Sequence, residues 1–300
     1  MLVVRTPRPE DLERYVQLMA QVEQADGPGQ AASLERVREH LERPGLFPGE
    51  EVFFAEEDGA IAGYVEVRPE LEIGRAVVEG AVGPAHRGRG IGGRLLDEAL
   101  THSRRLGALV AHVPVAQGMA AGRRLLEGRG LAVVRRHWQM ALVDLDVERP
   151  QVPPGLVIDH LRVGQEAELC ALQNAAFAGS WGFHPNTVEE VARLLVMATC
   201  RHQCVLTITE GGAMVAYCWT TEHPRAPQRG CIRMVGVHPS RRGRGLGRAV
   251  LLAAIDYLRG QGKSGVELSV DSRNTAATRL YRSLGFRREG VLLWYQAQLT

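Results

Sequence analysis

The sequence predicts two α/β domains in tandem, each a mixed but mostly antiparallel sheet flanked by helices. Three observations predict this. A six-residue loop occurs twice, 155 positions apart, as Arg87-Gly88-Arg89-Gly90-Ile91-Gly92 and Arg242-Gly243-Arg244-Gly245-Leu246-Gly247. The same order of strand-like and helix-like segments surrounds both copies. The segment Pro150-Gln151-Val152-Pro153-Pro154-Gly155 has the composition of a linker. The expected division is 1–149, a linker at 150–155, and 156–300, two domains of ordinary size.

The elements follow in order. Leu2 to Arg5 reads as a strand. Thr6-Pro7-Arg8-Pro9-Glu10 opens a helix to about Val22, with prolines and acids at its start. Asp26-Gly27-Pro28-Gly29 breaks it, and 34–41 suits a second helix. Val52 to Glu56 and Ile61 to Val67 form a hairpin turning at Asp58-Gly59. A strand at 77–82 leads into the first glycine loop and an apolar helix from Gly93 to Leu100. A strand at 109–115, a helix at 120–126 and a strand at 133–145 complete the first half. After the linker the order repeats: a strand at 156–161, helices at 166–177 and 188–198, then strands at 204–210 and 214–221 turning at Gly211-Gly212. A strand at 231–237, the second loop, a helix at 248–260, a strand at 265–270, a helix at 275–284 and a final strand at 291–298 close the chain.

Composition narrows the function classes. No run of 18 apolar residues exists, so no membrane span is expected. The amino terminus lacks the core of a signal peptide, and a cytoplasmic protein is expected. Net charge is only +2 and aromatic content 5%, which argues against a nucleic-acid-binding surface built on the Arg-Gly segments. Arginine supplies all the basic residues except Lys263, which we attribute to base composition. The five cysteines, an odd number, read as free thiols. Cys200, His202 and Cys204 lie together but lack a fourth ligand and a zinc-finger spacing, so no metal is expected.

A glycine-rich turn that opens a helix directs several unpaired backbone N–H groups at one point, where the helix dipole is also positive. That suits a phosphate. The two copies differ downstream. Asn274 and Tyr281 follow the second loop, whereas the same offset places Met119 and Leu126 after the first.

These strings resemble the acyl-CoA signature of the GNAT superfamily of N-acetyltransferases. The resemblance rests on Arg-x-x-Gly-x-Gly after Val-x-Pro, and on Asn274-x-x-Ala277-x-x-x-Tyr281-x-x-x-Gly285-Phe286. It implies acetyl-CoA as the donor. It further implies that Val235, Gly236 and Val237 face the pantetheine and that Arg242, Gly243, Arg244, Gly245, Leu246, Gly247 and Arg248 hold the pyrophosphate. Asn274 and Ala277 lie beside the pantetheine, with Tyr281 as general acid. In the first half Gly80, Ala81, Val82, Arg87, Gly88, Arg89, Gly90, Ile91, Gly92 and Gly93 are the matching cradle.

The tandem arrangement is also similar to the mycothiol synthases, which acetylate the cysteinyl amine of a glycosylated inositol. That likeness implies acceptor contacts at Asp26, Trp219, Cys231 and Ser269, with the acceptor between the halves. Cys231 stands where those enzymes carry a glutamate base, and Ser269 where they carry an aromatic hydroxyl. Glu222, acting through water, is the expected replacement base; bulk solvent is the alternative.

The expected function is therefore acetyl transfer to a primary amine of a small polar acceptor, with the active site in the second half. No nucleic-acid or membrane partner is expected, and the repeat makes a monomer sufficient. Two other readings stand beside it: a non-catalytic acyl-CoA sensor, and a true mycothiol synthase. The first loop either binds acetyl-CoA without turnover or only shapes the acceptor cleft through Asp26.

Overall fold

The computed structural model describes residues 2–26, 51–196, 201–223 and 226–299. The expected helix at 34–41, the break after Asp26, and Cys200 lie outside the described residues. The chain forms two compact units, Met1–His137 with Val291–Thr300, and Trp138–Gly290.

Unit 1 begins with β1 (Leu2–Arg5) and α1 (Leu12–Asp26). The sheet continues with β2 (Val52–Glu57), β3 (Ala60–Glu70) and β4 (Arg75–Val82). After the glycine loop come α2 (Ile91–Arg105), β5 (Val110–Ala116) and α3 (Ala120–Glu127). Asp58 and Gly59, at φ 50° and 80°, make the two-residue turn between β2 and β3. The order is β1-β2-β3-β4-β5-β12, with β12 (Arg287–Gln298) the last strand of the chain. The pairs β1–β2, β2–β3, β3–β4 and β5–β12 are antiparallel, whereas β4 and β5 run parallel. Parallel strands need a crossover, which α2 supplies. Ile91, Leu95 and Leu96 of α2 are buried against Val65, Val67 and Val78 of the sheet.

Unit 2 repeats the plan. β6 (Ala132–Leu142) contributes its residues 138–142, followed by β7 (Leu156–His160), α4 (Glu166–Phe177) and α5 (Val188–Val196). Next come β8 (Val205–Glu210), β9 (Ala213–Glu222), β10 (Arg229–Val237) and α6 (Leu246–Gly260). β11 (Gly265–Asp271), α7 (Thr275–Ser283) and the start of β12 (Arg287–Gln298) complete it. The order is β6-β11-β10-β9-β8-β7, with β10 and β11 parallel. Leu251, Ile255 and Leu258 of α6 pack on Ile232, Val266 and Leu268. On the opposite face, Leu169 and Leu172 of α4 and Val191 and Leu195 of α5 pack against Tyr217 and Trp219.

The two terminal strands do not follow chain order. Leu293, Tyr295 and Ala297 of β12, with Leu299 just beyond it, belong to the core of unit 1, where β12 pairs with β5. Met140 and Leu142 of β6, with Leu145, belong to the core of unit 2. The division at 150–155 thus differs from the compact units by one strand at the end of each half. Apolar alternation marks a strand and its buried face, but it is blind to which sheet edge the strand joins.

Candidate active site

Both glycine loops adopt one backbone form. Gly88 and Gly90 lie at φ 77° and 80°, Gly243 and Gly245 at 77° and 78°. Gly90 and Gly245 are the N-caps of α2 and α6, in the left-handed region, and neither offers a side-chain cap to the first turn. The orphan N–H groups of those turns face the loop. A Cβ built at Gly88, Gly90, Gly243 or Gly245 meets nothing within 4 Å. Their glycines therefore serve the left-handed φ and leave open space at the loop, and do not serve internal packing. A backbone cradle of this form suits an anion.

The loop arginines are already partnered. Arg241 and Arg244 both bond Glu210, at 2.7 and 2.8 Å. Their hydrogen bonds, Arg244 first, hold the Glu210 carboxyl below its ordinary value. Arg242 donates to the Ala176 carbonyl at the end of α4, at 2.7 Å, and Arg248 bonds Glu148 and Ser283. In unit 1 Arg87 bonds both oxygens of Asp26 at 2.8 Å, and Arg89 bonds Glu57. Asp26, expected at the acceptor, thus commits its carboxylate to the phosphate-type loop, because α1 ends beside that loop.

Above each loop the two parallel strands part. The β4–β5 pairing ends at Val77–His112. Beyond it lies a cavity of about 1010 Å³, lined by Gly80, Ala81 and Val82 on one side, Val113 and Val115 on the other, and Arg87, Gly88, Gly90, Ile91 and Gly92 of the first loop. In unit 2 the β10–β11 pairing ends at Ile232–Leu268, so the β11-facing edge of Val235, Gly236 and Val237 takes no part in that ladder. A bulge at Arg233 turns β10 at this point. Gly236 leaves room for the Tyr217 ring, whose Cε1 would lie 2.3 Å from an added Cβ.

The helix that follows differs between units. Asn274 caps α7, its side-chain oxygen accepting from the Ala277 N–H at 3.0 Å. Its φ and ψ are −77° and 79°; Met119, at −80° and 75°, holds the same place before α3 with no side-chain cap. One backbone thus carries two chemistries. Tyr281 is buried in α7, 5.8 Å from the Phe286 ring, and its hydroxyl is pushed above the ordinary tyrosine range by burial, then by Cys218. Leu126 is its buried counterpart in α3.

Strand alternation sorts the remaining residues. Ile232, Val266 and Leu268 face α6. Cys231, Glu267 and Ser269 therefore lie on the opposite face, with Trp219. Trp219 is 1% exposed and Arg233 lies over its ring at 6.0 Å. The Cys231 thiol is pushed up to about 12, by burial first and then by the charge of Glu267. Glu222 does not join this group. It pairs across the sheet with Gly230, whose added Cβ would meet Leu258 of α6, so it belongs to the α6 face. Its carboxylate lies 3.6 Å from Lys263. The alternation that buries Trp219 and Cys218 on opposite faces sets Glu222 on the face away from Cys231.

A carboxylate that the sequence did not single out stands there instead. Glu267 is the register partner of Cys231. It accepts from His223 Nε2 at 3.1 Å and from Arg229, which also bonds Glu289 at 3.2 Å. Pairing between parallel strands carries no signal in local sequence, so Glu267 reads as one more strand residue until the register is known. His202 and Cys204 go elsewhere: His202 bonds Glu166 at 2.7 Å, and the Cys204 sulfur lies 3.7 Å from the Tyr257 hydroxyl.

Two splayed strand pairs, each above a glycine loop at a helix N-terminus, define a tandem acyl-CoA-type fold. The acetyltransferase (GNAT) family pattern matches residues 18–130 and 166–286. The chain belongs to that family and is an acetyltransferase; enzymes of the family use acetyl-CoA. It is similar to a mycothiol acetyltransferase of Nocardia farcinica, 34% identical over 81% of each chain. That of Amycolatopsis mediterranei is 30% identical over 95% of each. A GCN5-related N-acetyltransferase from Sphaerobacter thermophilus superposes with a TM-score of 0.78 at 28% identity, over 99% of this chain and 96% of that one. A tandem GNAT protein of the clavulanic acid pathway shares the fold, with a TM-score of 0.78 at 17% identity over 100% and 99%. Among the described residues no helix is long and apolar enough to cross a membrane.

Proposed function

We propose that acetyl transfer to a primary amine of a small polar acceptor takes place in unit 2. Unit 1 holds acetyl-CoA, or coenzyme A, without turning it over. The observation that carries this reading is the contrast between Tyr281 and Leu126, set after loops and helix caps of the same geometry.

Thioester aminolysis needs a neutral amine, hydrogen-bond donors for the carbonyl oxygen as it gains charge, and a proton for the departing thiolate. The free edge of Val235 to Val237 supplies the donors, and the loop from Arg242 to Arg248 orients the pyrophosphate through backbone N–H groups. Tyr281, with its raised pKa, stays protonated through neutral pH and delivers a proton to sulfur. Leucine has no proton to give, which supports a binding role for unit 1. Trp219, Cys231 and Ser269 line the acceptor side of the sheet.

Tyr281→Phe is expected to lower turnover by about 10²-fold or more, the usual scale for a lost general acid. Acetyl-CoA affinity should stay within about twofold. Thiol release measured across an amine panel, with acetyl-CoA binding by calorimetry, checks this; wild-type turnover in the Phe variant sinks the assignment.

A second reading, acetylation of the cysteinyl amine of the mycothiol precursor, is favoured by the likeness to mycothiol acetyltransferases. The exchanges at Cys231 and Ser269 oppose it. A kcat/KM of about 10⁴ M⁻¹s⁻¹ or more on cysteinyl-glucosaminyl-inositol, within the ordinary enzyme range, establishes it.

A further inference from the structure

We infer that Glu267 is the general base of this enzyme, a carboxylate supplied from β11 where β10 carries Cys231. The inference rests on the reading that unit 2 is the active unit. Adjacent strands lie about 4.8 Å apart, so register partners on one face present their side chains to the same space. Cys231 and Glu267 are such partners, at the last rungs before β10 and β11 part. Cys231 itself is unsuited to the task, because its thiol is pushed up to about 12 and holds its proton at neutral pH.

The surroundings of Glu267 arrange it as an acceptor. His223 Nδ1 accepts the Ala226 N–H at 2.8 Å, which assigns the ring proton to Nε2, and Nε2 donates to one Glu267 oxygen. Arg229, itself shared with Glu289, donates to the other. An ionised carboxylate offers about four acceptor sites, so two donors orient it and leave sites for a proton or an ammonium. His223 cannot be the base in this arrangement, since its lone pair is bonded to backbone. His223 and Arg229 are positioning residues.

The N–H bond of the acceptor ammonium breaks and its proton passes to a Glu267 oxygen. The freed lone pair forms the N–C bond at the thioester carbonyl carbon. The C–S bond breaks with its electron pair on sulfur, which takes the Tyr281 hydroxyl proton. The second nitrogen-bound proton returns to the tyrosinate, and Glu267 releases its proton to water. The products are the acetamide, coenzyme A thiol and one proton.

The test uses the full-length protein with acetyl-CoA and a panel of cysteinyl-glucosaminyl-inositol, glucosamine and spermidine. On the amine that the wild type turns over best, Glu267→Gln should lower kcat/KM by about 10²-fold at pH 7, in the usual range for general-base loss. Acetyl-CoA binding should be unchanged. The loss should shrink as pH rises towards the pKa of the amine, because the variant depends on amine already neutral in solution. The double variant Cys231→Glu/Glu267→Gln should recover at least tenfold, since it returns a carboxylate to the same space; a merely structural role for Glu267 predicts no recovery. Glu267→Gln turnover within twofold of wild type, with Tyr281→Phe inactive, overturns the base and leaves the site in unit 2. An equal loss at every pH with no rescue also overturns it. Wild-type turnover by Tyr281→Phe, or no turnover of any amine by the unmodified protein, overturns the site reading and this inference with it.

Discussion

Asp11 is 1% exposed and accepts from both Arg5 and Arg14, and from the Arg8 backbone N–H at 2.7 Å. The Arg5 hydrogen bond, working against burial, holds its carboxyl at about 2, below its usual 3.8. A depressed acid stabilises the fold above its unfolded pKa, and that contribution is lost as pH falls through the folded pKa. The difference corresponds to about 2 kcal/mol. Asp11→Asn should therefore cost about that much at pH 7, and the gap to wild type should close between pH 4 and pH 2. Urea unfolding across that range measures it, and a gap that stays constant down to pH 2 contradicts the assignment. At the same scale, the place of Tyr281 on the helix capped by Asn274 was legible from their spacing. Glu267 was not, because its meaning lies in a register partner 36 positions away in the chain (267 − 231).

The two loop–helix elements offer a controlled comparison. Gly90 and Gly245 share φ near 80° and open surroundings, so valine at either imposes the same left-handed strain, about 1–2 kcal/mol, and no clash within the protein. Gly245→Val and Gly90→Val should therefore melt within a few degrees of each other. Only Gly245→Val should abolish acetyl transfer, because its side chain fills the cradle of the unit that carries Tyr281. Activity lost in the Gly90 variant and kept in the Gly245 variant, with both folded, would assign catalysis to unit 1. Both loops were readable in full, since glycine at a helix N-terminus after a strand is a local pattern. The same local reading missed that the loop arginines answer Glu210, Glu57 and Asp26. Those partners come from distant elements.

The placement of β6 and β12 decides how the whole chain behaves when cut. A fragment spanning 156–300 retains Leu293, Tyr295, Ala297 and Leu299 without their core, and lacks Met140 and Leu142 from its own. A fragment spanning 138–290 matches the compact unit. Loss of two large buried side chains costs about 2–5 kcal/mol each. The 138–290 fragment should therefore show a cooperative thermal transition, and the 156–300 fragment should aggregate or melt without one. Calorimetry of both fragments checks this. A higher melting temperature for 156–300 would mean that chain order, not strand exchange, defines the folding units.

The sequence by itself determined the repeat, the element order, the two glycine cradles and the difference between Tyr281 and Leu126. Each is written in spacings of a few residues, where helix and strand periodicity and the left-handed freedom of glycine act locally. Only the tertiary structure decided which sheet each terminal strand joins, that Glu222 lies on the α6 face, and that Asp26 answers Arg87. The same holds for Glu267 beside Cys231. Those facts depend on register and strand pairing between distant segments, which are settled by burial of whole faces at once.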